Sequence, residues 1–266
     1  MPTIPFVKAH GAGNDFLLVQ AVQTPADTDY PELARAICAR HGGIGADGLI
    51  VFTGPARIRL FNSDGSEAEL SGNGTRCAAA LLIADGSAGP GVAIETQAGV
   101  KQLRLLEREG NRFRLEMRMG RPVCSPADVS YALETTMGTW PVTILDVGNP
   151  QCAVLVDDLD FHWQELGREI ESHPHFPRHT NVSFARVLDR HTIEARFYER
   201  GAGPTLSSGT GSTGAAVAAI LSGRVESPVR VITEAGDLDL EWGGDEALLR
   251  GPAEIIVRGE FYWQGY

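Results

Sequence analysis

The stretch at 70–82, LSGNGTRCAAALL, returns in near-copy at 206–218 as LSSGTGSTGAAVA. Each places a serine, Ser71 or Ser208, before Gly-x-Gly and a run of small residues, at an offset of 208 − 71 = 137. Nine residues before each serine an apolar run ends in a polar residue: RIRLF in Asn62, ARFY in Glu199. Gly13-Asn14 matches Gly148-Asn149 at an offset of 135. A repeat whose period is half the chain constrains the fold more than any single motif. It predicts two similar α/β halves. Each has a Gly-Asn turn, a strand, a polar residue and a Ser-Gly-x-Gly helix start. The 266 residues suffice for two such units.

Apolar runs at 16–22, 48–52, 57–61, 92–97 and 100–107 predict strands, as does RFRLEMRM at 112–119, which alternates strictly. PELARAICARH at 31–41 and a segment from about Asn73 to Ala84 predict helices. After GRPV at 120–123 the pattern restarts. Strands are then expected in WPVTILDVG, CAVLVDD, VSFARVLD, TIEARFYE, VRVITEA, DLDLEW and ALLRGPAEIIVRGEFYW. Helices are expected in FHWQELGREIESH and GSTGAAVAAILSG.

With 43% apolar residues a sizeable core is available. A net charge of −11 argues against nucleic acid or an anionic membrane as partner, because both reward basic patches. No apolar run reaches the ~20 residues of a membrane helix. The N-terminal MPTIPFVKAHGAGNDF lacks a signal-peptide layout, so a cytoplasmic protein is expected. Cys38, Cys77, Cys124 and Cys152 form no CxxC pair and are expected as buried reduced thiols. Two prolines interrupt His173, His175 and His179, so a solvated loop rather than a metal site is expected there.

The first N–H groups of a helix lack internal partners and carry the positive end of its dipole, so such a mouth holds a carboxylate or phosphate. Each serine alone reads first as an N-cap, and it is the duplication that favours the anion site. Neither turn fits the nucleotide motifs GxGxxG or GxxxxGK[ST]. Asn14, Asn62, Asn149, Asn181 and Arg200 lie in turn-like contexts and together suit a pocket for a zwitterion.

Through HGAGNDF, RHGGIGADGL, FNSDGSEAE, SGNGTRC, GNPQC, HTNVSF and YERGAGPTLSSGTGS, nearly the whole chain resembles the diaminopimelate epimerase family. The resemblance implies an α+β fold of two pseudo-symmetric α/β domains. Each would be a curved, mostly antiparallel sheet around a central helix, with the active site in the cleft between them. Their expected limits are 1–119 with 253–266, and 120–252. It implies cofactor-independent conversion of LL-diaminopimelate to the meso form by two opposed bases, in a homodimer. Gly72, Asn73, Gly209 and Thr210 would hold the reacting carboxylate. Asn14, Asn62, Asn149, Asn181 and Arg200 would read the distal end, and Glu199 would sit beside the second base.

The departure lies in the proton chemistry. The family's two bases are cysteines, and Ser71 and Ser208 occupy their positions. The family commonly has histidine where this chain has Gln151, as partner of the first base. A thiol titrates near 8.5 and a hydroxyl nearer water's ~15.7, so forming the base costs roughly 10 kcal/mol more. A serine acts as a base when a neighbour takes its proton. Glu199 is such a neighbour for Ser208, whereas Gln151 accepts no proton. Three readings stay open: cysteines replaced by design, a natural epimerase with differently assisted proton transfer, and a scaffold with altered or lost chemistry. The last includes another racemase, a dehydratase or an amino-acid-binding protein.

Overall fold

The structure is a computed structural model and describes residues 3–263. The chain divides into two compact units, Met1–Met117 with Gly251–Tyr266, and Arg118–Arg250. The limits expected from sequence fall two residues further along at each crossing, 119 against 117 and 252 against 250.

The first unit runs β1 (Thr3–Gly11), β2 (Asn14–Gln20), α1 (Tyr30–Cys38), β3 (Gly48–Gly54), β4 (Arg57–Asn62), β5 (Glu67–Ala68), α2 (Gly72–Ala84), β6 (Gly91–Thr96), β7 (Gly99–Glu109) and β8 (Arg112–Gly120). The second runs β9 (Tyr131–Thr135), β10 (Gly138–Asp146), β11 (Pro150–Val156), α3 (Trp163–Glu171), β12 (Asn181–Asp189), β13 (Thr192–Glu199), β14 (Gly203–Thr205), α4 (Gly209–Leu221), β15 (Val229–Thr233) and β16 (Gly236–Glu241). A last strand, β17 (Ala247–Tyr262), begins in the second unit and ends in the first.

The pairing scheme repeats. In the first unit β1/β2, β3/β4, β4/β5, β6/β7 and β7/β8 are antiparallel, while β2/β3 and β4/β6 are parallel. In the second, β10/β11, β12/β13, β13/β14, β15/β16 and β16/β17 are antiparallel, while β11/β12 and β13/β15 are parallel. β17 pairs with β1 as β9 pairs with β10. The fold is α+β, and the strand pairings of the second unit repeat those of the first.

The two small-residue helices are the buried ones. Every residue of α2 from Gly72 to Ile83 is buried, and α4 is buried from Gly211 to Ala219. A helix apolar on all sides belongs inside a sheet rather than on it. The outer helices α1 and α3 bury one face only, through Leu33, Ala34 and Ile37 and through Trp163, Leu166 and Ile170. α1 ends at Cys38, short of the expected His41, because the N–H groups of Ile44 and Gly45 both fold back onto the Ile37 carbonyl. β1 lies outside the expected runs. Pro5, Lys8 and His10 break its apolar pattern, yet Ile4 and Ala9 are wholly buried.

Cys38, Cys77 and Cys152 are buried, Cys124 is half-buried, and all four are free thiols. His173 meets the Glu134 carbonyl at 2.9 Å and accepts the His175 N–H at 3.1 Å, His173 and His175 both pack on Phe176, and His179 meets Glu171 at 3.1 Å. No helix among the described residues is long and apolar enough to cross a membrane.

Candidate active site

Both serines cap their helices in one geometry. Ser71 (φ −129°, ψ 122°) accepts the Gly74 N–H at 3.1 Å, and Ser208 (φ −136°, ψ 127°) accepts the Gly211 N–H at 3.1 Å. The next bonds also match: Thr75 N–H to Ser71 O at 2.8 Å, and Ser212 N–H to Ser208 O at 2.9 Å. The helices themselves offer no acceptor to the N–H groups of Gly72 and Asn73, or of Gly209 and Thr210. Each mouth thus presents two adjacent donors and a hydroxyl.

The second glycine of each turn is there for packing. A Cβ on Gly74 would lie 3.0 Å from Leu60 Cδ1, and one on Gly211 only 2.6 Å from Phe197 Cδ1. These glycines let the helix mouth settle onto the sheet.

Within the second unit, sheet register gathers the expected residues. Gln151 lies opposite Asn181 in the parallel β11/β12 pair, and Val182 opposite Tyr198 brings the end of β13 alongside. Asn181 is buried. Its amide donates to the Pro150 carbonyl at 2.9 Å, and its Oδ1 accepts the Arg200 N–H at 3.1 Å. Gln151 donates to Asn149 Oδ1 at 2.7 Å and packs on α4 at Gly214, leaving its Oε1 buried without a partner. The Arg200 guanidinium reaches the Arg178 carbonyl at 3.3 Å. Glu199 ends β13. Desolvation raises its carboxyl above the ordinary value, and a hydrogen bond from Ser208 offsets part of that rise. An ionised Glu199 is therefore a stronger base than a solvated glutamate, and it sits on the Ser208 hydroxyl.

The first unit gathers its own set. Asn14 follows Gly13 at φ 75°, as Asn149 follows Gly148 at φ 95°, a left-handed turn that favours glycine. Asn14 donates to Asp47 Oδ2 at 2.8 Å, and Asn73 donates to Asn14 Oδ1 at 3.4 Å. The structure thus joins Asn14 to Asn73. Asn62 ends β4 opposite Gly48, and its amide donates to Ser66 Oγ at 2.9 Å rather than to Asn14 or Asn73. Among the described residues no carboxylate or imidazole hydrogen-bonds Ser71, whose hydroxyl has only the Gly74 N–H. Burial pushes the Cys77 thiol up to about 12, so it is no substitute base.

Sequence reading missed Asp47 and Arg76. Asp47 accepts from Asn14 and from the Asp15 N–H at 3.1 Å, and Arg40 anchors its other oxygen at 2.7 Å. Arg76 donates to Asn73 Oδ1 and, through Nε, to the Pro252 carbonyl at 3.2 Å. The available signal was an arginine inside an apolar run, TRCAAALLI, where a charge has no packing reason to be.

A sequence model of the family described as diaminopimelate epimerase matches residues 6–125 and 143–256. A diaminopimelate epimerase of Moorella thermoacetica is 40% identical over 274 residues, covering 96% of this chain and 98% of its own. One of Pelotomaculum thermopropionicum shows the same identity and coverage. Among solved structures, a hydroxyproline epimerase of Agrobacterium vitis with bound trans-4-hydroxy-L-proline superposes with a TM-score of 0.71 at 14% identity, over 98% of this chain and 92% of that one. A phenazine biosynthesis protein of Bacillus anthracis gives 0.70 at 16%, over 98% and 99%. At such identities these two speak for the fold alone.

Proposed function

The chain belongs to the diaminopimelate epimerase family, and we infer from its two helix mouths how it handles protons. It is an isomerase that converts LL-diaminopimelate to meso-diaminopimelate by inverting one α-carbon. In our reading the free N–H groups of Gly72, Asn73, Gly209 and Thr210 receive the reacting carboxylate. When the α-proton leaves, charge moves into that carboxylate, and donors already aimed at it stabilise the carbanion. Asn14, Asn62, Asn149, Asn181 and Arg200 bind the rest of the zwitterion. The observation that carries this reading is the matched pair of serine caps, each beside two N–H groups its helix leaves unengaged.

Ser71 and Ser208 hold the proton-handling positions, one in each unit, but they are not equivalent. Helix dipoles recover only about 2 kcal/mol each of the roughly 10 kcal/mol that separates hydroxyl from thiol. At Ser208 the proton has a destination in Glu199. At Ser71 it has none among the described residues. This favours a second reading, in which one face exchanges protons far faster than the other. A cytoplasmic homodimer completes the proposal, and sedimentation at twice the chain mass tests the dimer.

The deciding experiment is incubation with LL-diaminopimelate in deuterated water, followed by NMR. Loss of the α-proton signal with formation of the meso compound supports two working serines. Exchange with retained configuration supports a single working face at Ser208. Binding without exchange, from the LL and the meso compound alike, means a pocket without bases, and Ser71→Cys with Ser208→Cys should then restore turnover. Absence of binding overturns the proposal.

A further inference from the structure

Among the described residues Arg76 has the largest wholly buried side chain, and it is charged. Burial lowers its guanidinium to about 10, so it stays protonated at neutral pH. Among the described residues no carboxylate forms an ion pair with it. Its Nε donates to the Pro252 carbonyl, its Nη2 to Asn73 Oδ1, and its Nη1 has no partner. A buried, unpaired cation with an unused donor is unfavourable and persists where something else requires it.

The hydrogen bonds around it run in one direction. Arg76 donates to Asn73 Oδ1, Asn73 Nδ2 donates to Asn14 Oδ1 at 3.4 Å, and Asn14 Nδ2 donates to Asp47 Oδ2 at 2.8 Å. A cation terminates one end and a carboxylate the other. Neither amide is able to turn over, since a flip would set N–H against the guanidinium or carbonyl oxygen against the carboxylate. Gly11 guards the geometry, because a Cβ there would lie 3.1 Å from the Asn73 carbonyl oxygen and 3.2 Å from that of Pro252.

We propose that Arg76 and Asp47 are positioning residues that fix the two amides in one sense, each with its oxygen towards Arg76 and its N–H towards Asp47. Asn73 then offers its remaining N–H to a carboxylate, and Asn14 its carbonyl to an ammonium. This rests on the functional reading above and deepens it: the ligand class is an α-amino acid with both groups ionised. An incoming carboxylate also supplies the counter-charge that Arg76 lacks. The Asn73–Asn14 bond is long, so a ligand displaces little in taking its place.

The test is calorimetric titration with LL-diaminopimelate and with its diamide, which keeps the shape and loses both carboxylate charges. In Arg76→Met, diacid binding should weaken roughly tenfold or more while diamide binding stays unchanged. Arg76→Lys should recover part of the preference. A role confined to folding would weaken both ligands alike, and an unaltered diacid-to-diamide ratio in folded Arg76→Met overturns the proposal. Should that variant not fold, Asn73→Asp serves, because it hands Arg76 a carboxylate in place. It should raise the melting temperature and abolish diacid binding, and a lower melting temperature refutes the unmet charge. Failure of the unaltered protein to bind the diacid counts against the functional reading, whereas the Asn73→Asp melting result bears on Arg76 alone.

Discussion

Glu199 is set against its surroundings by the same desolvation that makes it a useful base. In the unfolded chain this carboxyl ionises near 4.5, and in the fold desolvation keeps it protonated to higher pH. Between those two values the folded state binds more protons than the unfolded one, so stability falls as pH rises. Below the unfolded value both states are protonated and the difference vanishes. Glu199→Gln mimics the neutral acid at every pH. The variant should therefore melt with the unaltered protein at about pH 4 and above it at about pH 8. The same change removes the acceptor for the Ser208 proton, and α-proton exchange should fall by about 10² to 10⁴. A melting difference independent of pH, or exchange that survives, would contradict the role given to Glu199. This residue was legible in sequence because it ends an apolar run nine residues before Ser208. Its raised carboxyl was not, since desolvation is a property of the assembled strand end.

At the scale of elements, the two mouths look alike in sequence but differ in how tightly they seat. Ala at either second glycine gains up to about 1 kcal/mol of helix propensity. At Gly211 the new methyl meets Phe197 at 2.6 Å and Ser208 Cβ at 3.0 Å, and Phe197 is buried. At Gly74 it meets the methyl ends of Leu60 and Ile50 at 3.0 and 3.1 Å, which rotate more easily. Overpacking costs about 1 to 3 kcal/mol, so Gly211→Ala should lower stability in urea and Gly74→Ala should stay within about 1 kcal/mol of the unaltered protein. Equal losses would mean that the seating does not distinguish them. The helices themselves were readable because Ser-Gly-x-Gly followed by small residues specifies a capped, all-round buried helix. β1 was not, because Pro5, Lys8 and His10 hide a strand whose buried apolar side chains are Ile4, Phe6, Val7 and Ala9. The bonds of Asp47 to Asn14 and of Arg76 to Pro252 span 33 and 176 residues, and no local pattern foretells them.

For the whole molecule, the repeat carried the prediction of two units, yet the units are unequal in how the chain completes them. The second is continuous from Arg118 to Arg250, and its β9–β16 strands pair among themselves over a core of Leu133, Val142, Val154, Leu166, Ile170 and Phe184. The first needs the chain's return. β17 pairs with β1 from Thr3↔Tyr262 to His10↔Glu254, Pro252 supplies the Arg76 acceptor, and Trp263 belongs to the core around Leu17 and Leu49. Residues 118–250 alone should therefore unfold cooperatively in urea. Residues 1–117 alone should lack a cooperative transition, because β1 then exposes a hydrogen-bonding edge and Arg76 loses a partner it cannot replace from water. Adding a peptide of residues 251–266 should restore the transition at a midpoint that rises with peptide concentration, as binding to the folded form alone requires. A cooperative transition in 1–117 without the peptide would show that the return strand decorates the first unit rather than completing it, and Arg76 would then need no acceptor from Pro252.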